Sequence, residues 1–264
     1  MVRWVILLAL LLTTQSQPKP LFEVAVIKPV AQPVNANRSG CRGIDTQFPV
    51  NDPRNSIPLG RCVFSGTRAD SLITNAYGLR PAQLRGTPNW ATGSTGERFA
   101  LDAKAEKPET TTEQQLREML QSLLADRFKL RYRRDTLDVD GFHLVLEKDG
   151  PKFQTVAGDE EPYDLKVVDL RATLTATRTS MSSLAQALST FNLCLGAPLS
   201  PVADKTGLKG VFAFTMRWTQ CRGDIIPGSD GTIPYALKEL GLKLGSGKVP
   251  VEFFIIENME RPVD

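Results

Sequence analysis

Two spacings of apolar residues alternate along the chain. Thr67 to Gly78 (TRADSLITNAYG) sets Leu72, Ile73 and Ala76 on one helical stripe, and Thr179 to Thr190 (TSMSSLAQALST) does the same with Leu184, Ala185 and Leu188. Thr67 and Thr179 stand where a hydroxyl can cap each helix. A longer helix is predicted after Thr110, whose spacing to Glu113 fits a capping box, with Leu116, Met119, Leu120, Leu123 and Leu124 at helical intervals. Near the C-terminus Pro234 suits a first helical turn, Leu237 and Leu240 face inward, and Gly241 can close the helix. Between these stretches the period shortens to two: RFALDA, VFAFTM and GFHLVLE alternate like half-buried strands, and FEVAVIKP (Phe22 to Pro29) reads as a further strand that completes a sheet.

The elements recur in order. TRADSLITNAYG aligns with TSMSSLAQALST at an offset of 112, RFALDA with VFAFTM at 113, LLADRFKL with LKELGLKL at 114 and HLVL with FFII at 110. This predicts an α+β protein made of two diverged tandem repeats, each with antiparallel strands packed on two helices. The expected boundaries are 17–150 for the first repeat with its N-terminal strand and cysteine loop, 151–172 for a polar connector, and 173–264 for the second repeat. The groove between two such copies is the default ligand site.

Charge and chain ends narrow the partners. Arg3, the uncharged run from Trp4 to Leu12 and the small residues Thr14 and Ser16 have the layout of a secretory signal peptide, expected to span 1–16. No cysteine follows the run, which argues against a lipid anchor, and it is far shorter than the ~20 residues that span a bilayer. The expected product is an exported protein, periplasmic or extracellular, without a transmembrane segment. The formal charge of +3 falls to +2 without Arg3, so nothing global draws the chain to nucleic acid.

The four cysteines allow three pairings. In an oxidising compartment the local one, Cys41 with Cys62 and Cys194 with Cys221, would staple two Gly- and Pro-rich loops. No metal site is expected, because the chain has no C-x-x-C and His143 is its only histidine. No cofactor is expected either: there is no P-loop, G-x-S-x-G or H-E-x-x-H. Asp204-Lys205-Thr206-Gly207 matches the phosphorylated loop of P-type ATPases, and its last three residues match one β-lactamase box. It stands alone, without an S-x-x-K motif or a nucleotide domain. Its expected role is a turn in which Asp204 accepts backbone hydrogen bonds and Gly207 takes positive φ, feeding a strand from Val211 to Trp218. Glu160 and Glu161 read as solvated.

Three groups are candidate ligand contacts. Read as a strand, DRFKLRYRRD puts Arg127, Lys129, Arg131 and Arg133 on one face, either a solvated outer face or a basic ladder for an anionic surface. Trp90, in GTPNWATGSTG, is either a binding-loop anchor or a core plug. Asp204 and Lys205 form the third group.

LFEVAVIKP, LITNAYGL, GTPNW, ERFALDAKA, EQQLREMLQSLLADRFKLRYRRDT, GFHLVLEKDGPKF, VADKTGLKGVFAFTMRW and VPVEFFIIENMERP, in that order, resemble the soil-associated protein family abundant in acidobacterial genomes. That resemblance implies an exported domain of uncharacterised biochemistry, found in some relatives behind an antirepressor-type membrane metallopeptidase. The leading expectation is a non-enzymatic extracytoplasmic binding domain for a peptide, glycan or cell-envelope component. The alternatives are a hydrolase with a site assembled between the repeats and a structural envelope component that contacts anionic surfaces.

Overall fold

A computed structural model describes residues 19–31, 38–191, 201–219 and 231–262. The segment 1–16 and the pair Cys194 and Cys221 lie outside the described residues. Within them the protein is α+β, with four α-helices and three mostly antiparallel sheets. Two compact units divide it: one holds the described residues up to Arg133 and from Ile256 onward, the other runs Arg134–Ile255.

In the first unit, strands β1 (Val24–Val30), β2 (Gly40–Arg42), β3 (Arg61–Arg68) and β5 (Arg98–Lys104) form an antiparallel sheet of order β1-β5-β3-β2. The predicted N-terminal strand is thus an edge strand beside β5. Alternation buries Cys62 and Phe64 of β3 with Phe99, Leu101 and Ala103 of β5. Helix α1 (Ala69–Tyr77) adds Leu72, Ile73 and Ala76 to this core, and α2 (Glu113–Arg127) adds Leu116, Leu120 and Leu124. Each large apolar side chain buried here contributes about 1.5–3 kcal/mol. The short strand β4 (Leu84–Arg85) lies between α1 and β5 in sequence. A disulfide joins Cys41 to Cys62 across the β2–β3 pair, as expected from their local spacing.

The helix starts differ from prediction by one or two residues. Thr67 belongs to β3, and α1 begins without a side-chain cap; Gly78, at φ 63°, ends it. Helix α2 is capped by Thr112, whose hydroxyl accepts from Gln115 N at 3.3 Å while Gln115 accepts from Thr112 N at 2.9 Å. Thr110 instead donates to the Lys107 carbonyl. A Thr-Thr-Thr run offers several hydroxyls, and the one flanked by Gln115 completes the reciprocal pair.

The second unit also packs a four-stranded sheet with two helices. Strands β7 (Gln154–Val156), β8 (Asp164–Val168), β9 (Arg171–Thr179) and β11 (Val211–Thr219) form an antiparallel sheet of order β7-β11-β9-β8. Leu174, Phe212, Phe214, Met216 and Trp218 pack in one cluster with Leu184 and Leu188 of α3 (Met181–Thr190) and Leu237 of α4 (Ile233–Glu239). Ser180 caps α3 by accepting from Ser183 N at 3.1 Å, in place of Thr179, which is buried in β9. The stretch 151–172, read as a connector, carries β7 and β8.

The third sheet has the order β10-β6-β12-β4. It contains β6 (Arg131–Leu146), β10 (Val202–Asp204) and β12 (Leu242–Asn258), with β10 parallel to β6. At 16 and 17 residues, β6 and β12 each begin in one unit and end in the other.

Registers in the sheets of the first and second units match at these positions. Thr67 faces Phe99 and Phe64 faces Leu101; Thr179 faces Phe212 and Ala176 faces Phe214. On both sides a bulge sets a step of three residues on the first strand against two on the second.

Candidate functional site

Among the described residues the outer face of the first sheet is uncovered, and its register arranges side chains in rows. Val26, Asp102 and Val63 form one row; Lys28, Ala100 and Ser65 form the next. Val24 and Val26 are 55% and 45% exposed. A groove of about 310 Å³ runs here, lined by Val26, Lys28, Val30, Val63, Ala100 and Arg38.

Most charges around the groove are met. Arg61 pairs with Asp102 at 3.2 Å, Lys104 with Glu23 at 3.0 Å, and Arg98 donates to the Gly66 carbonyl. Lys28 and Arg38 have no carboxylate partner among the described residues. Arg38 donates through Nη2 to the Ser56 carbonyl at 2.8 Å, but its Nε is buried without a hydrogen-bond partner, the only such side-chain atom among the described residues. Leaving a buried donor unmet costs about 1–3 kcal/mol and more for a charged group, so this position calls for an acceptor. Chemically, the arrangement can hold an apolar body and satisfy an anion.

The corresponding face of the second sheet is polar. Thr173, Thr175 and Thr177 of β9 lie there with Ala213, Thr215 and Arg217 of β11.

The residues expected to bind ligand are spread over both units. Trp90 is half-buried, edge-on to Phe99 with centroids 6.3 Å apart and stacked over Phe128 at 6.5 Å. Arg261 covers its ring at 5.2 Å and pairs with Glu97. Trp90 therefore closes the core of its unit. In the second unit, Asp204 accepts from the backbone N–H of Thr206 at 2.9 Å and from its hydroxyl at 2.7 Å. Gly207 has φ 74°, and the Lys205 side chain is exposed while its backbone N–H reaches the Leu144 carbonyl. The geometry is that of the predicted turn.

The basic ladder does not form as drawn. Arg127 ends α2, and Lys129, at φ 50°, reverses the chain, with the Leu130 N–H closing on the Leu124 carbonyl. Arg127 and Lys129 both lie near Asp126, so only Arg131 and Arg133 reach the exposed start of β6. The apolar spacing that continues α2 to its last turn overrides local alternation. Arg133 pairs with Glu257 at 3.9 Å.

Glu160 and the side chain of Glu161 are exposed, as expected, and both also have partners. Glu160 is held below the usual carboxylate range by the hydroxyl of Ser183 and by the backbone and hydroxyl of Ser180; Glu161 pairs with Arg178. In the disulfide loop, Arg54 donates to both carboxylate oxygens of Asp52 and lowers its pKa to about 2. His143 bonds the Lys248 carbonyl from β6 at 3.0 Å, and its ring fills the space beside Gly247, a structural role. No cluster of metal-ligating side chains occurs among the described residues.

Fold and site together define an α+β protein with an internal disulfide and, among the described residues, a partly apolar outer face on its first sheet; no described helix is long and apolar enough to cross a membrane. The family described as a protein of unknown function, DUF3738, matches residues 70–259, and the chain belongs to it. No match is found among curated proteins or among solved structures.

Proposed function

We propose that this protein is an exported, non-enzymatic binding domain that takes its ligand on the outer face of its first sheet. One observation carries the reading: an open apolar groove is bordered by a cation whose buried N–H lacks a partner. Asp102, the carboxylate lining the groove, is engaged by Arg61, which leaves no poised acid–base pair there. Export is supported by the signal-like segment 1–16 and by the Cys41–Cys62 disulfide.

The fold is proposed to descend from a duplicated unit, with copies in 17–150 and 173–264. Matching bulges and registers in the sheets of the first and second units support this, because the facing pairs are those that the sequence offsets of 112 and 113 relate. After duplication one outer face kept or gained apolar residues and the other became threonine-rich.

The test is a thermal-shift screen of the disulfide-intact mature chain against peptides, glycans, cell-wall fragments and small amphiphiles, because a ligand of the native state raises Tm. The expected ligand raises Tm in the parent and fails to do so in Val63→Asp. A ligand equally effective in both, or turnover of any compound, would overturn the assignment.

A further inference from the structure

We infer that this groove takes a free anionic amphiphile with one linear apolar chain, its charged end set against Arg38 and Lys28. The inference rests on the binding reading above and specifies its ligand.

Size comes first. About 310 Å³ lies at the low end of small-molecule clefts, enough for a slender ligand and too little for a folded partner. From Val26 to Val30 the strand rises about 13 Å, and Val63 and Ala100 continue the apolar floor across the sheet.

Charge decides the head group. Asp102 is compensated by Arg61, so the uncompensated charge at the groove is that of Lys28 and Arg38, both positive. Lys28 starts the row that ends at Ser65, and Ser65 N donates to Ser39 Oγ at 3.3 Å, which anchors Arg38 beside the far end of that row. The two cations thus border one row from opposite sides. An anionic oxygen in the groove would accept from the Lys28 ammonium or the Arg38 guanidinium in a charge-assisted bond, stronger than a neutral alcohol could make. A cationic head would meet like charge at Lys28 and Arg38.

Isothermal calorimetry with decanoate and decyl phosphate, each below its micelle concentration, tests this against decanol, decyltrimethylammonium and acetate. Both anions are expected to bind, the better of them naming the head group; decanol and acetate should bind at least ~10-fold more weakly, and the quaternary ammonium not at all. Arg38→Met and Lys28→Gln should each weaken the anions by ~10-fold and leave decanol unchanged, whereas Val63→Asp should abolish both classes. Arg38→Lys, which restores charge without Nε, should recover part of the loss. If decanol binds as tightly as decanoate and only Val63→Asp abolishes it, the anion inference fails and the binding face stands. If no amphiphile binds, or anionic vesicles bind where the monomers do not, the inference is overturned; the face itself falls only if Val63→Asp also leaves every screened ligand unaffected.

Discussion

Beneath their outer surfaces the four-stranded sheets of the two units share a register. Thr67 faces Phe99 as Thr179 faces Phe212, and the bulge beside each is the same. Above that shared frame the surfaces part: Val63 and Asp102 stand in one sheet where Thr175 and Thr215 stand in the other, by the same offsets. The edge strands differ too. β1 is seven residues long and lays Val24, Val26 and Val30 across the first face, while β7 has three residues and adds little width. Buried packing constrains the inner faces, because any lost methylene there is felt. Outer faces are under no such constraint, and a surface free to become polar that stays apolar marks an interaction site.

The largest effects should come from the shared frame. Leu72 and Leu184 are both fully buried and occupy equivalent helical positions, so Leu72→Ala and Leu184→Ala should each cost about 2–5 kcal/mol in urea unfolding. A mild result at one alone would break the equivalence of the inner faces. Next comes the staple on the first sheet. Replacing Cys41 and Cys62 together by Ala releases a loop with a sequence separation of 21 and should cost about 3 kcal/mol, read in the same assay. An unchanged midpoint would show that β2 and its loop hold without it.

Smaller effects separate the turn of the second unit from a reactive loop. Asp204→Ala should cost about 0.5–2 kcal/mol through its lost bonds to Thr206. Gly207→Val meets open space but is forced to positive φ, for about 1–2 kcal/mol, and Lys205→Ala should be silent in stability. Intact mass after exposure to a β-lactam or an acyl phosphate should show no adduct on this loop; a stoichiometric one would make it chemically active. A further small effect is acidic. Because Asp52 has a folded pKa lowered to about 2 from 3.8, its stabilising contribution is present above about pH 4 and is lost as pH falls toward 2. Asp52→Asn should flatten that part of the Tm–pH curve, and an identical curve would show that the Arg54 bonds do not couple to stability.

Much of the frame was legible in the sequence because burial imposes periodicity. The stripes at Leu72 and Leu184, the alternation of RFALDA and VFAFTM and the turn at Asp204 all follow from local rules, and the Cys41–Cys62 link follows from loop spacing. The basic run was misread because FKLRYRRD alternates, while α2 continues through Arg127 and reverses only at Lys129, a positive φ that no local residue announces. The candidate groove was not legible. FEVAVIKP is apolar on both faces, so its alternation could not say which valines stay exposed, and Arg38 reaches the groove through pairing of β2 with β3, a contact between strands distant in sequence. A partial signal was present: both faces of an edge strand being apolar implies that something covers the outer one.

Confinement of binding to the first outer face is tested by backbone amide NMR of the protein titrated with decanoate: saturable shifts are expected at Val26, Lys28, Ser65 and Ala100, with Thr173, Thr175 and Thr215 unmoved. Shifts confined to the threonine face, or gathered around Trp90 or Asp204, would contradict it.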